Sequence, residues 1–455
     1  MTAVGQARKG PSSQSLIGPA RRRAELGLIV LAVAITGGAY TLASLGQTAS
    51  VPVNIGPFLG VMFVLFVGAH LAVRRLAPEA DGILLPLCFT LNGIGYVFIA
   101  RLAPEQAGLQ SVWTAVGIGA FIATLVVVRR TRDLERYRYT FLLIGLLLLM
   151  LPLVPGVGRV INGARIWVAV GPIRFQPGEF AKIAFALFFA SYLVEKRELL
   201  SMATWPRFRP VLPDLKHLGP VLIAWGVAII VMTAQKDLGS SLLFFALFLA
   251  MLWVATGRVA YPAGGALLFG AAAYGAWTQL GHVQSRVSAW LNPWDNQETG
   301  GFQVIQSWYA LAWGGVAGTG VALGRPDKIP VVYNDFIFAA IGEELGLLGA
   351  TAVLMGYLLM VGAGLRIAIQ AEGAFEKLLA TGLTALLGIQ SFIIIAGVTR
   401  LLPLTGIALP FVSYGGSSLV ANYMLLALLL RISDDTARRE SGRVEERASA
   451  LAAPT

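Results

Sequence analysis

The sequence predicts an all-α, polytopic membrane helix bundle. Of its 455 residues, 56% are hydrophobic and only 13% are charged, whereas a soluble globular protein carries roughly 25% charged residues. Long apolar runs recur along most of the chain, and about 20 apolar residues suffice for one helix to cross a bilayer core. The composition excludes a disordered chain and a collagen, and the single cysteine, Cys88, excludes a disulfide scaffold.

Apolar runs bounded by charged residues, proline or glycine predict about twelve membrane-spanning helices. The first run follows three arginines, Arg21 to Arg23, and is too long for a signal-peptide core, so we expect an uncleaved anchor. Because the number of spans is even, both termini are predicted on the same side of the membrane. In chain order, the predicted helices cover residues 26–45, 55–73, 82–100, 109–128, 139–155, 177–194, 218–234, 238–256, 261–279, 343–366, 378–398 and 414–430.

The basic residues predict the orientation of the bundle, because lysine and arginine concentrate in cytoplasmic loops. With both termini in the cytoplasm, 25 of the 35 basic residues lie inside, 9 lie outside and Lys182 lies near a helix start. The inside residues fall in both tails, at Arg258 and in the loops 74–81, 129–138, 195–217 and 366–377. The net charge of +11 therefore indicates topology, and we expect no nucleic-acid partner.

Four parts are predicted along the chain. Residues 1–20 and 433–455 are cytoplasmic tails, residues 21–80 hold the first two helices, and residues 82–432 form the main membrane core. Within the core, two outer segments, about 156–176 and about 280–342, are too long to be turns, and loops of that length are usually functional or disordered. The second contains four tryptophans, which favours an ordered structure at the membrane surface, with a simple aromatic belt as the alternative.

Ionisable side chains gather near the helix ends of the predicted outer face. Such groups are expensive at membrane depth, so inside a bundle they mark a substrate path more often than packing. The alternative is that these residues are ordinary solvated loop charges. It applies most to Glu298, Asp327 and Lys328, and less to Asp335, Glu343 and Glu344. The outer-face charges are Asp295, Glu298, Asp327, Asp335, Glu343, Glu344, Arg286, Arg325, Lys328 and Arg400.

Two backbone features suggest an anion site on the same face. A cluster of serine and glycine between Ser413 and Ser418 opens the last helix, where free N–H groups and hydroxyls suit phosphate oxygens. A capped helix start with close packing is the alternative. In the loop that precedes residue 177, Arg165 lies on the outer side, and Glu179 and Lys182 follow on one helix face, where they can neutralise each other.

Several motifs occur together in one order and resemble the SEDS family (shape, elongation, division and sporulation) of the RodA and FtsW type. The resemblance covers about residues 82–432, and family members usually have ten helices, so the runs 26–45 and 55–73 are additional. The motifs are Gly163–Trp167, Phe175–Glu179 with Lys182, Gln235–Gly239, Gly301–Ser307, Asn334–Phe338, Gly342–Gly346 and Pro410–Ser418.

The resemblance implies a peptidoglycan glycosyltransferase in the cytoplasmic membrane of a bacterium. Such an enzyme polymerises lipid II at the outer face, with inversion and release of undecaprenyl diphosphate, during elongation or division. It implies lipid II, the nascent lipid-linked glycan and a class B penicillin-binding protein of the elongation or division complex as partners, and we favour elongation. A lipid II flippase and a non-catalytic scaffold or activator of the penicillin-binding protein are the alternatives. The clustering of charges outside favours the enzyme.

The resemblance also implies an essential aspartate in the large outer loop, and here the chain departs from the family. Aligned without a gap, the aspartate column falls on Asn296, one residue after Asp295. A neutral amide cannot act as a general base, so we expect Asp295 in this role, with Glu298 as the fallback. No cofactor is certain, and a divalent cation bridging Asp295 and the diphosphate is compatible with the chemistry.

The remaining predicted site residues line a substrate groove by their match to the motifs. Lys236 stands where family members usually carry proline, and it either contacts the diphosphate or pairs with its neighbour Asp237. The predicted substrate-binding residues are Arg165, Lys236, Asp237, Gln303, Gln306, Ser307, Asp335, Glu344, Arg400, Ser413 and Ser417.

Overall fold

The protein is a helical bundle with one small β-sheet. The computed structural model describes residues 13–51, 55–161, 163–171, 173–201, 219, 226–227, 229–231 and 233–452. The α-helices of this part are α1 (Ser13–Thr48), α2 (Ile55–Leu76), α3 (Leu84–Leu102), α4 (Pro104–Val127), α5 (Arg138–Met150), α6 (Pro177–Ser201), α7 (Leu238–Thr256), α8 (Ala260–Gln279), α9 (Gly281–Leu291), α10 (Gly301–Gly314), α11 (Ile337–Gln370), α12 (Ala374–Val398) and α13 (Gly416–Ala452).

Ten helices of the described part are long and apolar enough to cross a membrane, which confirms the multi-pass all-α class. They are α1 to α4, α6, α7, α11 to α13, and the stretch Thr131–Leu153 that contains α5. Helix α8 coincides with the predicted span 261–279, but its glycine, tyrosine and tryptophan residues lower its hydropathy. The predicted span 218–234 lies mostly outside the described residues. The count of twelve and the orientation of the termini therefore stay predictions.

Local sequence signals explain where α7 begins and ends. Asp237 caps its first turn, because the carboxylate Oδ1 accepts the Ser240 N–H at 3.0 Å, and such a cap satisfies one of the donors left free at a helix start. Gly257 terminates the helix with φ 69°, in the left-handed region that glycine adopts without a Cβ clash.

The two additional helices pack directly on the first helix of the family-like core. Glu25 of α1 is 1% exposed and forms an ion pair with Arg74 of α2, while its second oxygen lies 2.9 Å from His70 Nδ1. Phe66 of α2 stacks on Phe89 of α3, with ring centroids 3.8 Å apart. These contacts make α1 and α2 an integral part of the bundle.

The segment 156–176, which was predicted to be a long outer loop, contains regular secondary structure. It forms an antiparallel sheet in the order β1 (Gly158–Ile161), β2 (Ala164–Val170) and β3 (Ile173–Phe175). Trp167 is opposite Arg159, and Ala169 is opposite Arg174. The Arg165 N–H donates to the Gln235 carbonyl at 3.0 Å, so the sheet lies beside the turn that precedes α7.

The outer segment 280–342 is largely helical, and the helix after it starts earlier than predicted. It contains α9, α10 and two short 3₁₀ turns, and α11 begins at Ile337 rather than near 343. Gly346 interrupts α11 with φ 64° and ψ −166°. The opened backbone pairs with the loop after α10, because Leu347 N–H donates to Gly315 O at 2.9 Å and Gly320 N–H to Glu344 O at 3.1 Å.

The last helix continues well beyond its predicted end at residue 430. Helix α13 crosses the predicted boundary at 432 and runs to Ala452. Its buried Arg431 donates to the Leu76 carbonyl at 2.6 Å, and Asp434 accepts the Glu79 N–H at 2.8 Å. These bonds attach the start of the C-terminal segment to the last residue of α2 and to the loop after it.

Candidate active site

The polar core of the site lies where α9 meets the segments before α11 and after α12. Arg286 of α9 donates through Nη1 to the Thr405 and Leu404 carbonyls at 3.0 and 3.4 Å. A Cβ on Gly406 would lie 3.9 Å from Arg286 Nη2 and 3.8 Å from Asp335 Oδ2. Gly406, with φ 74°, therefore leaves a gap that the guanidinium and the carboxylate both face.

Burial perturbs the two carboxylates of this core. Burial raises the pKa of Asp335 to about 6, and the Arg286 guanidinium opposes the rise. Burial also raises the pKa of Asp237, against the Ser240 hydrogen bonds that lower it. Perturbed carboxylates beside a cation are common at functional sites, which is compatible with the predicted site roles of Asp237 and Asp335; those roles stay predictions.

A buried polar chain connects this region to the bundle interior. Lys182 Nζ contacts Glu179 Oε2 and Gln390 Oε1, each at 2.7 Å, and Gln390 Nε2 donates to the Ala408 carbonyl at 2.7 Å. The predicted neutralisation of Glu179 by Lys182 is therefore present in the structure. The chain also ties α6 and α12 to the loop that carries Gly406.

An apolar cavity of about 370 Å³ opens beside Arg286. Its wall is built from α7, α8, α9 and the loop after α12, with apolar side chains such as Leu242, Phe245 and Phe269. Arg286 is the one charged residue among the described residues that line it. The cavity can therefore hold a hydrocarbon chain with an anionic group at the guanidinium end.

A second cation lies at the same end of α7. Lys236 is exposed and has φ 60°, a conformation that proline cannot adopt. Within the described residues it forms no ion pair, so it does not neutralise Asp237 through a direct contact. Burial lowers the pKa of His282, and the positive charges of Lys236 and Arg286 lower it further, which indicates a positive local potential.

The predicted catalytic loop follows the last turn of α9. Asp295 and Glu298 are both exposed. Asn296 stabilises the turn after α9, because its Nδ2 donates to the Asn292 carbonyl at 2.7 Å and to the Ser288 carbonyl at 3.4 Å. The amide is therefore used to cap α9, and the carboxylates on either side of it are the groups that face solvent.

Arg400 anchors this loop from the end of α12. Its guanidinium donates to the Trp290 and Leu291 carbonyls at 3.0 and 2.8 Å and lies 4.6 Å from the Trp308 ring centre. The Trp290 indole N–H donates in return to the Arg400 carbonyl at 3.0 Å. Arg400 thus holds α9, α10 and the predicted catalytic loop together, and its substrate contact stays a prediction.

The serine-rich start of α13 is closely packed. Ser413 Oγ donates to the Asn334 carbonyl at 2.6 Å, next to Asp335, and Ser417 Oγ accepts the Gln176 N–H at 2.9 Å. A Cβ on Gly416 would lie 2.2 Å from the Trp113 ring. Both hydroxyls therefore position neighbouring segments, and their binding of phosphate stays a prediction.

The other predicted residues lie on α10 and at the break in α11. Gln303 donates to the Pro330 carbonyl at 3.2 Å, and the buried Ser307 donates within α10 to Val304. Glu344 is buried, pairs with Arg101 at 2.6 Å and accepts the Ala322 N–H at 2.8 Å. Gln306 lines a second cavity, beside the loop that follows α10. The predicted contacts of these residues with substrate stay predictions.

Two residues of the site were not among the predicted binding residues. The sequence identified Arg286 only as one of several outer-face cations, because its neighbours in the 400–406 loop are more than 110 positions away. Gln390 carried a signal that was missed, because a lone amide within an apolar span needs a buried partner. The structure supplies that partner in Lys182.

Comparisons with known proteins identify the family of the chain. The profile of the FtsW, RodA and SpoVE family, described as cell cycle protein, matches residues 87–438. The chain is 42% identical over 448 residues to the peptidoglycan glycosyltransferase RodA of Mycobacterium tuberculosis, covering 96% of both chains. It is 33% identical over 341 residues to the probable peptidoglycan glycosyltransferase FtsW of Geobacter metallireducens, covering 74% of this chain and 85% of that one.

Solved structures show the same similarity. A chain from a peptidoglycan synthase complex that coordinates polymerization and crosslinking matches with a TM-score of 0.64 and 27% identity, covering 78% of this chain and 98% of that one. The rod shape determining protein RodA of Thermus thermophilus matches with a TM-score of 0.56 and 27% identity, covering 78% and 97%.

Proposed function

Because the chain belongs to the FtsW, RodA and SpoVE family of peptidoglycan glycosyltransferases, we propose that it polymerises lipid II. We place this reaction at the outer face of the cytoplasmic membrane. The observation that carries the proposal is the apolar cavity that ends at Arg286, on the same short helix that leads into the Asp295 loop. A polyprenyl diphosphate has the matching chemistry, with a hydrocarbon chain and an anionic head.

Arg286 binds the diphosphate in this proposal. A guanidinium has five N–H donors, and the bonds to the two loop carbonyls use only Nη1. Lys236 adds positive charge near His282, on the same side. Cations at this position stabilise the charge that develops as undecaprenyl diphosphate leaves.

Asp295 is the proposed general base. The 4-hydroxyl of the acceptor sugar attacks the anomeric carbon of the donor, and the bond between that carbon and the diphosphate oxygen breaks with inversion. The hydroxyl proton passes to the Asp295 carboxylate, and the electron pair of the broken bond leaves with the diphosphate. The exposed position of Asp295, beside an Asn296 amide that already caps α9, supports this assignment over Asn296.

Glu298 and a divalent cation are secondary features of the proposal. Glu298 lies three residues after Asp295 and is also exposed, so it is the fallback base. Mg²⁺ is usually held by one or two carboxylates together with substrate phosphates, and Asp295 and Glu298 are suitable donors. Bound there, the cation would neutralise diphosphate charge, and loss of activity in EDTA with recovery by Mg²⁺ would support it.

A class B penicillin-binding protein is the proposed partner, in the elongation complex rather than the division complex. The similar chain from a peptidoglycan synthase complex, at 27% identity over 98% of its length, supports such an assembly. Lipid II transport and non-catalytic scaffolding remain the competing functions, and both predict that the chain makes no glycan.

Purified protein supplied with lipid II tests the function, with and without the cognate penicillin-binding protein. We expect glycan from the wild type, and loss of glycan in Asp295→Asn and Arg286→Ala with unchanged protein yield. Glu105→Gln, at an exposed carboxyl at the start of α4, is the control and should keep full activity. Glu298→Gln tests the fallback base and should keep more activity than Asp295→Asn. Activity lost only in Glu298→Gln would transfer the base to Glu298. Failure of the wild type to make glycan, even with the partner, would favour transport or scaffolding.

A further inference from the structure

A second cavity lies on the face of α10 that is turned away from Arg400. It has a volume of about 410 Å³, within the roughly 300–1,000 Å³ typical of ligand sites. Unlike the apolar cavity beside Arg286, it combines aromatic, amide and charged groups. We call it the outer cleft, and its main side chains are Gln306, Tyr309, Trp313, Arg325, Lys328 and Glu343.

One wall of the outer cleft is an aromatic and amide face of α10. Gln306, Tyr309 and Trp313 share a face because they are three and four residues apart on a helix. Tyr309 is 47% exposed and Trp313 is 75% exposed. Exposed aromatic rings beside an amide suit a sugar, which presents C–H groups on its faces and hydroxyls on its edge.

The opposite wall holds fixed charges. Glu343 is 6% exposed, and its Oε1 accepts the Arg325 N–H at 2.6 Å. The Arg325 side chain is exposed and lies 3.8 Å from Asp327, and within the described residues Lys328 has no ion-pair partner. The unpaired Lys328 ammonium at the rim suits a saccharide that carries carboxylate groups.

The outer cleft begins next to the proposed base. The Trp294 ring packs edge to face against Tyr309, with centroids 6.1 Å apart, and Asp295 is the next residue. Arg286, which lines the apolar cavity, lies on α9, the helix before this turn. The Asp295 loop is therefore joined to both cavities, through α9 to the cavity suited to a lipid chain and through the Trp294 ring to the cleft suited to sugars.

We propose that the outer cleft binds the peptide-bearing glycan strand, with a sugar ring on Tyr309 and Trp313 and a stem-peptide carboxylate at Lys328. The proposal rests on the proposed function, because it names where the saccharide of that reaction lies. A strand held at this position stays next to Asp295 between additions, so the cleft controls how many sugars are added before release.

Binding of lipid-free, uncrosslinked glycan fragments to the full-length protein tests the cleft without turnover. In an Asp295→Asn background, which blocks the proposed chemistry, the fragments should still bind by isothermal titration calorimetry. Adding Trp313→Ala should weaken binding about tenfold, which corresponds to ~1.4 kcal/mol. Lys328→Gln should weaken binding of peptide-bearing fragments but not of fragments stripped of peptide. Trp253→Ala, at a 48% exposed tryptophan of α7, is the matched control and should bind normally.

Product length provides the second readout in otherwise active protein. Trp313→Ala should shorten the glycan strands when strands are compared at equal lipid II consumption, whereas Trp253→Ala should leave their length unchanged. Unchanged fragment affinity and unchanged strand length in Trp313→Ala would overturn the proposal, as would equal losses in Trp253→Ala. If Asp295→Asn still polymerises lipid II, the base assignment fails, and the fragment affinities still decide whether the cleft binds glycan.

Discussion

The pKa of Asp335 leads to a prediction in which activity and stability change in opposite directions. With a pKa of about 6, the carboxyl is about 91% ionised at pH 7 and about 9% ionised at pH 5. The ionised form is the one that can hold Arg286 by charge across the gap at Gly406. We therefore expect the polymerisation rate to fall about tenfold between pH 7 and pH 5, with a midpoint near 6.

Stability should show the opposite sign. The folded pKa lies above the ordinary value of 3.8, so the folded state holds its proton more tightly and loses stability as the pH rises from about 4 to about 6. The difference of about 2.2 pKa units corresponds to at most about 3 kcal/mol, and partial solvent exposure of Asp335 reduces it. Asp335→Asn removes this cost, so its unfolding temperature at pH 7 should equal or exceed that of the wild type.

The assay is lipid II polymerisation by purified protein at a series of pH values, together with thermal unfolding at pH 5 and pH 7. Asp335→Asn should have low activity and no transition near pH 6. Glu105→Gln, at an exposed carboxyl at the start of α4, should retain the wild-type profile. The reasoning would be refuted by an acid transition near pH 6 that persists in Asp335→Asn, or by a clear loss of its stability at pH 7.

Three further predictions concern unfolding of the purified protein in detergent. Glu25→Ala leaves the Arg74 guanidinium buried without its carboxylate and should lower the free energy of unfolding by about 3–5 kcal/mol. An unchanged unfolding temperature would contradict the stabilising role of this ion pair. Lys236→Pro should destabilise the turn before α7, whereas Lys236→Gly should not, because φ is 60°; equal stability of the two would refute this. Gly93→Ala places a Cβ 1.9 Å from the Thr36 hydroxyl oxygen of α1 and should lower the free energy of unfolding by about 1–3 kcal/mol. Gly68→Ala is the control, because its Cβ would meet no atom within 4 Å. Equal effects of the two changes would argue against close packing of α1.

Much of the fold was predictable from hydropathy. The elements that the prediction missed were missed for identifiable physical reasons. The spans 82–100 and 238–256 lie within two residues of the observed α3 and α7, because each is an apolar run with a clear stop at its end. The sheet at 158–175 was missed because its strands are short and follow no long alternation of polar and apolar residues. The early start of α11 was missed because the residues before 343 were assigned to a loop on account of their charged neighbours.

The site residues that belong to sequence motifs were predictable. Residues whose side chains hydrogen-bond to backbone groups far away in the sequence were not. Asp335 and Asp237 were identified from motifs and lie beside Arg286 in the structure. The sequence could not distinguish Asp295 from Asn296 by position alone. The hydrogen bonds from Asn296 to Asn292 and Ser288 now give the amide a structural role.

The sequence by itself determined the membrane class, the approximate spans and the family, because apolar length and motif order are properties of contiguous residues. Only the tertiary structure decided which charges face one another. It brought Arg286 to the loop at 404–406, buried Lys182 between Glu179 and Gln390, and formed an apolar cavity beside Arg286 and a separate aromatic cleft on α10. The physical reason is that pairing and burial depend on distances between residues that are remote in the chain, and local patterns do not encode those distances.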